Sequence, residues 1–453
     1  RRQRPPESGE DTYPRRLLVT VLLAVIAFSA SMTIVSASLH VIADDLGSTA
    51  ATLSWSVTGL FLAMAVTTPI MGKLGDTHGH RRIFLLGATI LTVGTFLCGL
   101  AWSAGSFIAF RILVGFGISF TMPNGMALIM DAFGPERRPV AMGWFQMAMT
   151  GAPVVGLVVG GPMIEAWGWR TVFTILGPIA LAGLVAATRV IRPTEPTGPV
   201  AVDWAGAGLL GGAVLAFLLG LEQLRGGIDA TFVALMVTAV VSLAAFIAVE
   251  QRVERPLLEL RYFRRRNFTG PLISQPLSQF AYMGGFLIIP LLLSEVFGLG
   301  VRDVALVLVA RPGVYSLASP LGGRLAVRFG QRSMLVSGSV LMIASMLTFV
   351  VSVPLRSVAL VVVGNALSGL GMGLASPSFS TTIAGAVDPR DLGVANGMGA
   401  TVMNIGMLTG IQSMFVLLGD GRSAADFQQV FYLGAAVAAV GILGAVMVRE
   451  QPA

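Results

Sequence analysis

Hydrophobic residues run along this chain in blocks of about twenty, separated by short polar breaks. The blocks lie near 17–39, 53–72, 83–101, 106–130, 139–164, 171–190, 205–224, 230–249, 268–293, 303–322, 333–353, 357–384, 393–418 and 427–448. Each is long enough, as a helix, to cross a hydrocarbon core about 30 Å thick. Lipid offers no partner for exposed backbone groups, so each block must be helical. The pattern predicts an all-α polytopic membrane protein with fourteen transmembrane helices. The tightest break, at 353–357, is carried by Pro354 and Arg356.

Composition agrees. The chain is 55% hydrophobic and 12% charged, half the charge of an ordinary soluble domain. Its net charge of +7 points to orientation, not to nucleic acid. With the N-terminus placed inside, 23 of the 30 Lys and Arg residues fall on inner breaks. Five fall outside (Arg170, Arg225, Arg302, Arg356, Arg422), and Arg111 and Arg311 lie within blocks. That bias obeys the positive-inside rule and predicts a multi-pass protein of the cell membrane with both termini cytoplasmic. Residues 1–16 are Pro-rich and charged and are expected to be disordered. They lack the apolar core of a signal peptide, so the first block reads as an uncleaved anchor. Cys98 stands alone, which excludes an intramolecular disulfide.

The sequence repeats. FRILVGFGISFTMPNG at 110–125 aligns with GNALSGLGMGLASPSF at 364–379, at an offset of 254. Gly115 then falls on Gly369, Gly117 on Gly371, Pro123 on Pro377, Pro135 on Pro389 and Gly143 on Gly397. GKLGDTHGHRR at 72–82 repeats as GRLAVRFGQR at 323–332, at an offset of 251. The expected organisation is two parallel six-helix repeats, 17–192 and 268–448, with two helices inserted at 193–250. A charged amphipathic linker at 251–267 follows the insertion, and 449–453 forms a tail. The linker is expected to lie on the inner leaflet, its arginines facing anionic lipid. Parallel repeats of this kind enclose a site near the midplane and rock about it.

With these motifs the chain resembles the major facilitator superfamily, and within it the fourteen-span drug:proton antiporters. Gly72, Leu74, Asp76, Gly79, Arg81 and Arg82 follow that superfamily's loop motif between spans two and three, with Thr77 and His80 where arginine is usual. The second copy keeps Gly323, Leu325, Arg328, Gly330 and Arg332, but Val327 replaces the acid. The resemblance implies that this loop latches the two halves together on the cytoplasmic side. Arg111, followed by Gly115 and Gly117, resembles the fourth-span motif whose arginine is tied to proton coupling. Gly143, Gly156, Gly160, Gly161 and the GWR at 168–170 resemble the fifth-span antiporter motif, with Leu157 in place of its proline. SMTIVSASLHVI at 31–42 resembles the subgroup's span-one pattern, except that Ser31, Ser36 and His40 replace Asp, Asn and Pro.

That departure leaves the proton without an obvious carrier. Asp131, Glu222, Glu295 and Asp303 fall at span ends and, with Arg111, are the coupling candidates. Gln275, Gln279 and Tyr282 share one helix face by their spacing. With Gln146, Asn365, Asn404 and Arg311 they are the candidate lining of a substrate cavity. His78 and His80 lack a third ligand, so no metal site is expected. No phosphate-binding loop of the ATPase type and no nucleophile–base pair is visible, so neither a cofactor nor catalysis is expected.

The expected activity is export of amphiphilic small molecules against protons by a monomer in a bacterial plasma membrane. A cavity lined by arginine, suited to anionic or lipid-like amphiphiles with weak or no proton coupling, is the alternative. A non-transporting receptor or assembly protein is a third possibility.

Overall fold

A computed structural model describes residues 12–37, 39–194, 203–223, 227–253, 260–419 and 423–450. Every regular element among them is helical. The helices are α1 (Tyr13–Ala37), α2 (Leu39–Asp45), α3 (Ala50–His78), α4 (His80–Gly99), α5 (Ala104–Trp167), α6 (Trp169–Val190), α7 (Trp204–Gln223) and α8 (Ala230–Glu250). They continue as α9 (Arg266–Leu291), α10 (Val301–Phe329), α11 (Gln331–Leu355), α12 (Val358–Gly385), α13 (Leu392–Leu418) and α14 (Ala424–Met447). The segment 1–16, expected to be disordered, turns helical from Tyr13; residues 1–11 lie outside the described residues. Of the linker 251–267, the described part includes a short 3₁₀ helix, Leu260–Arg264.

Twelve of these helices are long and apolar enough to cross a membrane. Two expected spans are absent from that count for identifiable reasons. The blocks 106–130 and 139–164 have merged into α5, which leaves helical geometry only at Gly134 (φ 65°). At about 1.5 Å per residue, 64 residues far exceed one bilayer crossing. The other is α10, in which the side chains of residues 301, 302 and 305 lie outside the described residues. Helix starts are capped where polar side chains precede them. Thr49, Ser103, Asp229, Ser357 and Ser423 each accept a backbone N–H of the first turn, satisfying groups that a helix end leaves bare.

Two bundles form. In the first, α5 packs on α1, α3 and α4, and α6 packs on α1 and α4. In the second, α12 packs on α10 and α11, and α14 packs on α9 and α11. The bundles meet along two seams, α3 on α13 and α10 on α5. α7 rests on α3, and α8 packs on α7. The outer face of α8 leaves Val233, Val237, Val240, Val241 and Leu243 exposed, as expected for a lipid-facing helix.

The two seams use corresponding positions. On one, the Ser316 hydroxyl donates to Met147 O at 2.9 Å; on the other, the Thr401 hydroxyl donates to Ala65 O at 3.3 Å. Adding 251 to 65 gives 316, and adding 254 to 147 gives 401, the offsets of the sequence repeat. Gly143 lies against Ser319 and Pro320, and Gly397 against Thr68 and Pro69, again at those offsets. Near one end the backbones come closer still. A side chain at Gly72 would collide with the backbone of Gly393, and one at Gly323 with that of Pro139. Only glycine permits such an approach.

Gly72→Val is therefore expected to push α3 off α13 at that end and leave each bundle intact. With Cys98 replaced, labelling of a cysteine at Val394 by a charged maleimide should rise severalfold while helical circular dichroism stays unchanged.

Candidate functional site

The turns Gly79 and Gly330 (φ 94° and 85°) mark one end of the molecule, and the densest polar contacts between the bundles lie there. Asp76, in the last turn of α3, is buried. Its Oδ1 accepts from the Gly393 N–H at 2.7 Å and its Oδ2 from the Val394 N–H at 2.9 Å. Those donors belong to the first turn of α13, where a helix leaves N–H groups unsatisfied and its dipole is positive. A buried carboxylate with two such donors makes strong, charge-assisted bonds. Beside it, Lys73 Nζ lies 3.1 Å from Asp391 Oδ1. Two cross-bundle ties thus sit within one turn of α3.

The second copy of the motif makes no such tie. Val327 occupies the position of Asp76 and has no acceptor. Its partner by the repeat offset, Pro139, replaces Gly393 and has no N–H to give. Donor and acceptor are lost together. In their place lies an open groove of about 580 Å³, lined by Pro139, Val327 and Gly330. The arginines of the motif also differ in use. Arg81 donates to Thr188 O at 3.0 Å, and its backbone N–H donates to the Thr194 hydroxyl. Arg82 and Arg328 are exposed.

His80 enlarges the first contact. Asn124 Nδ2 donates to Met71 O and Phe120 O, at 3.0 and 2.8 Å. Its Oδ1 is left as the acceptor for His80 Nδ1, 2.8 Å away. With Nδ1–H so committed, His80 Nε2 faces Asp76 Oδ1 at 3.4 Å. Two bare acceptors repel at that distance, so a proton belongs between them, on one or the other. Asp391 is shared as well. The buried Tyr262 hydroxyl, from the 3₁₀ turn before α9, donates to its Oδ2 at 2.7 Å and lies 3.1 Å from Asp388 Oδ2. Burial and the Asp391 carboxylate push the Tyr262 phenol above its ordinary pKa. The linker expected to lie on the inner leaflet therefore also turns Tyr262 into the protein. Asp391, Asp388 and Tyr262 were invisible as a group in the sequence, because their meeting depends on packing across more than a hundred residues. The one available signal was acid placed directly before an apolar block.

Deeper in the structure, Arg111 is fully buried. It donates to the Ser31 hydroxyl at 3.3 Å and approaches Met32 Sδ at 3.0 Å, while its Nε finds no partner. Ser31 is the position where the resembling subgroup carries its acid, so Arg111 faces a hydroxyl in place of a charge. Arg311 is equally buried. One nitrogen donates to Tyr282 O, and the guanidinium lies over the rings of Tyr282, Phe286 and Phe349. Its Nε and Nη2 have no hydrogen-bond partner.

The polar residues picked for a cavity divide. Gln146 and Gln275 meet, with Asn396 and Ser380, around a cavity of about 30 Å³ between the bundles. Gln275 Oε1 and Asn396 Oδ1 are buried without a hydrogen-bond partner. Gln279, Tyr282, Asn365 and Asn404 are buried but do not line it. The coupling acids lie elsewhere. Asp131, Glu295 and Asp303 are exposed, and the side chain of Glu222 lies outside the described residues. Buried carboxylates among the described residues are Asp76, Glu250 and Asp391. Of the fifth-span glycines, Gly143 and Gly156 are buried, while the surroundings of Gly160 and Gly161 are not described. The GWR motif has a partner at the other end: Trp169 Nε1 donates to Asp45 at 3.1 Å, and Arg170 pairs with the same carboxylate. That pairing holds the Asp45 carboxyl below its usual pKa range.

Two bundles of membrane-length helices, meeting on mirrored seams and tied at one end, define a polytopic membrane transporter. The chain belongs to the Major Facilitator Superfamily, whose sequence profile matches residues 19–300 and 272–453. It is 29% identical over 426 residues to the multidrug resistance protein B homolog of Mycobacterium tuberculosis, covering 91% of this chain and 79% of that one. The tetracenomycin C resistance and export protein of Streptomyces glaucescens is 28% identical, over 91% of this chain and 77% of its own. In fold, the chain is similar to a solved structure, the human organic anion transporter MFSD10, with a TM-score of 0.68 at 16% identity, over 95% of this chain and 100% of that one.

Ser31→Asp is expected to stabilise the protein, because it gives the buried Arg111 a charged partner. Breaking a buried pair costs about 3–5 kcal/mol, and making one recovers part of that after the new charge is desolvated, so the thermal midpoint in detergent should rise by a few degrees. An Arg111→Leu background should erase the gain.

Proposed function

We propose that the chain exports amphiphilic small molecules by proton-coupled alternating access, with both termini in the cytoplasm of a bacterial cell. Counting α5 as two spans and α10 as one gives fourteen. The mirrored seams support two parallel six-helix repeats, with α7 and α8 inserted between them. The relatives named for multidrug resistance and for export of tetracenomycin C support drug efflux. The positive-inside bias supports the Gly79 end as the cytoplasmic one.

The observation that carries this reading is the pair of bonds from Asp76 to the start of α13. They hold one bundle against the other at one end only, and they form or break as a unit when that end closes or opens. In this reading the proton shared by His80 and Asp76 is the coupled one. A carboxylate accepts both N–H groups of α13 best when ionised, so protonation from His80 weakens the tie and favours opening toward the cytoplasm. Lys73, Asp391, Asp131 and Arg81 set the field around the pair. The span-end acids expected to carry the proton are exposed and make weaker candidates.

A second reading, transport of anionic amphiphiles, is favoured by one observation: Arg311 and Arg111 are buried guanidiniums facing no carboxylate. An anionic substrate group would supply what they lack.

Proteoliposomes under an imposed pH gradient test both. Gradient-driven movement of a cationic amphiphile is expected, with little loss in Arg311→Ala. Asp76→Asn should uncouple it, since removing a charge-assisted acceptor costs about 2 kcal/mol, or about thirtyfold in the open-to-closed ratio. His80→Gln should flatten the pH profile without abolishing movement. Preference for an anionic amphiphile, lost in Arg311→Ala, would replace the first reading with the second.

A further inference from the structure

Four arginines meet around one cavity at the Gly79 end, away from the seam. The cavity, about 460 Å³, is bounded by Arg264, Arg265, Arg266 and Asn267 at the start of α9, by Gly385 and Ala386 at the end of α12, and by Arg449 just past α14. Among the described residues no carboxylate lines it. The nearby acids among the described residues are engaged elsewhere. Asp388 bonds Arg261 and Tyr262, Asp391 bonds Lys73 and Tyr262, and Glu450 lies against Gly330 in the neighbouring groove.

Packing, not charge pairing, holds this cluster together. Arg265 donates to Ala386 O at 2.6 Å, and its guanidinium lies 4.9 Å from the Tyr262 ring centre. Asn267 clamps the backbone of Arg449 twice: its Nδ2 donates to Arg449 O at 2.9 Å, and its Oδ1 accepts the Arg449 N–H at 2.8 Å. The start of α9 and the end of α14 are thereby fixed together with their guanidiniums on one wall. Like charges held this way repel one another, and an anion between them relieves the repulsion. The first turn of α9 adds the positive end of its dipole. Solvated arginines merely obeying the positive-inside rule would need neither a concavity nor these clamps.

We propose that this cavity binds a phosphate-bearing anion, namely the headgroup of an anionic phospholipid in the facing leaflet. Guanidinium forks match phosphate oxygens in pairs. The chain around the cavity also offers apolar surface for acyl tails: Phe263, beside Arg264, is exposed, as are Leu443, Val446 and Met447 in the turns before Arg449. A free phosphate would have no use for that surface. The site stands apart from the proposed transport route and rests only on the chain's being in a membrane.

Native mass spectrometry of the purified protein in neutral detergent reads occupancy directly. The probes are phosphatidylglycerol, phosphatidylcholine and inorganic phosphate, each at matched concentration. Phosphatidylglycerol is expected to stay bound, phosphatidylcholine to dissociate, and inorganic phosphate to bind weakly. The triple variant Arg264→Gln/Arg266→Gln/Arg449→Gln should retain phosphatidylglycerol about tenfold less or weaker. Arg264→Gln alone, an exposed position, should weaken it severalfold and guards against misfolding of the triple. The double variant Arg324→Gln/Arg332→Gln, at exposed positions of the same end outside the cavity, should bind as the unaltered chain does. Equal retention by the triple variant, or equal binding of phosphatidylcholine, would overturn the site. Inorganic phosphate displacing phosphatidylglycerol at equal concentration would overturn the lipid as its occupant. Because no transport is measured, none of these outcomes bears on the proposed export.

Discussion

A buried carboxylate cannot stay unpartnered, and Asp76 finds its partners on the other bundle. The N–H groups of Gly393 and Val394 are free for it because helix α13 begins there. Several neighbouring residues support this contact. Gly72 and Gly393 let the two backbones approach until the carboxylate reaches. Lys73 and Asp391 add a second tie. His80, steered by Asn124, turns its Nε2 toward the carboxylate.

The structure is symmetric in its packing and asymmetric in its chemistry. The seams repeat at Ser316 with Met147 and at Thr401 with Ala65, so the scaffold treats both bundles alike. The tie does not repeat. Val327 and Pro139 remove acceptor and donor together, and a groove lies where a second tie would form. Two ties of equal strength would double the cost of opening. In the proposed reading, confining these ties to one copy of the motif keeps the cost of opening small, each 1.4 kcal/mol being about a tenfold change in population. The arginine-rich cavity at the same end is separated from this contact by the Tyr262 turn, which holds Asp391 from its other side.

Much of the fold was legible because the bilayer leaves few choices. Blocks of twenty apolar residues must be helices, and internal offsets of 251 and 254 survive as real contacts between Gly143 and Pro320 and between Gly397 and Pro69. Gly72, Asp76 and Gly79 were legible because a motif names them. What the motif could not show is where Asp76 points, since its acceptor role is met by backbone that carries no sequence signature. The two blocks 106–130 and 139–164 meet at Gly134, whose φ of 65° glycine adopts readily, so the break between them is one residue and not a loop. Ser31 was read as a missing acid, yet its place under Arg111 shows the cost of that loss, a guanidinium left with a hydroxyl. Tyr262 was hidden inside a stretch whose charge suggested membrane surface, and only the packed structure reveals that its ring faces inward.

The most direct test is a distance measured across the Asp76 end. Spin labels at exposed His78, on the first bundle, and exposed Arg390, on the second, would be read by pulsed dipolar spectroscopy in lipid nanodiscs at high and low pH. A single short distance at high pH should give way to a longer one as pH falls, and Asp76→Asn should show the longer distance at both. A distance unchanged by pH and by Asp76→Asn would contradict the claim that this carboxylate holds the bundles together.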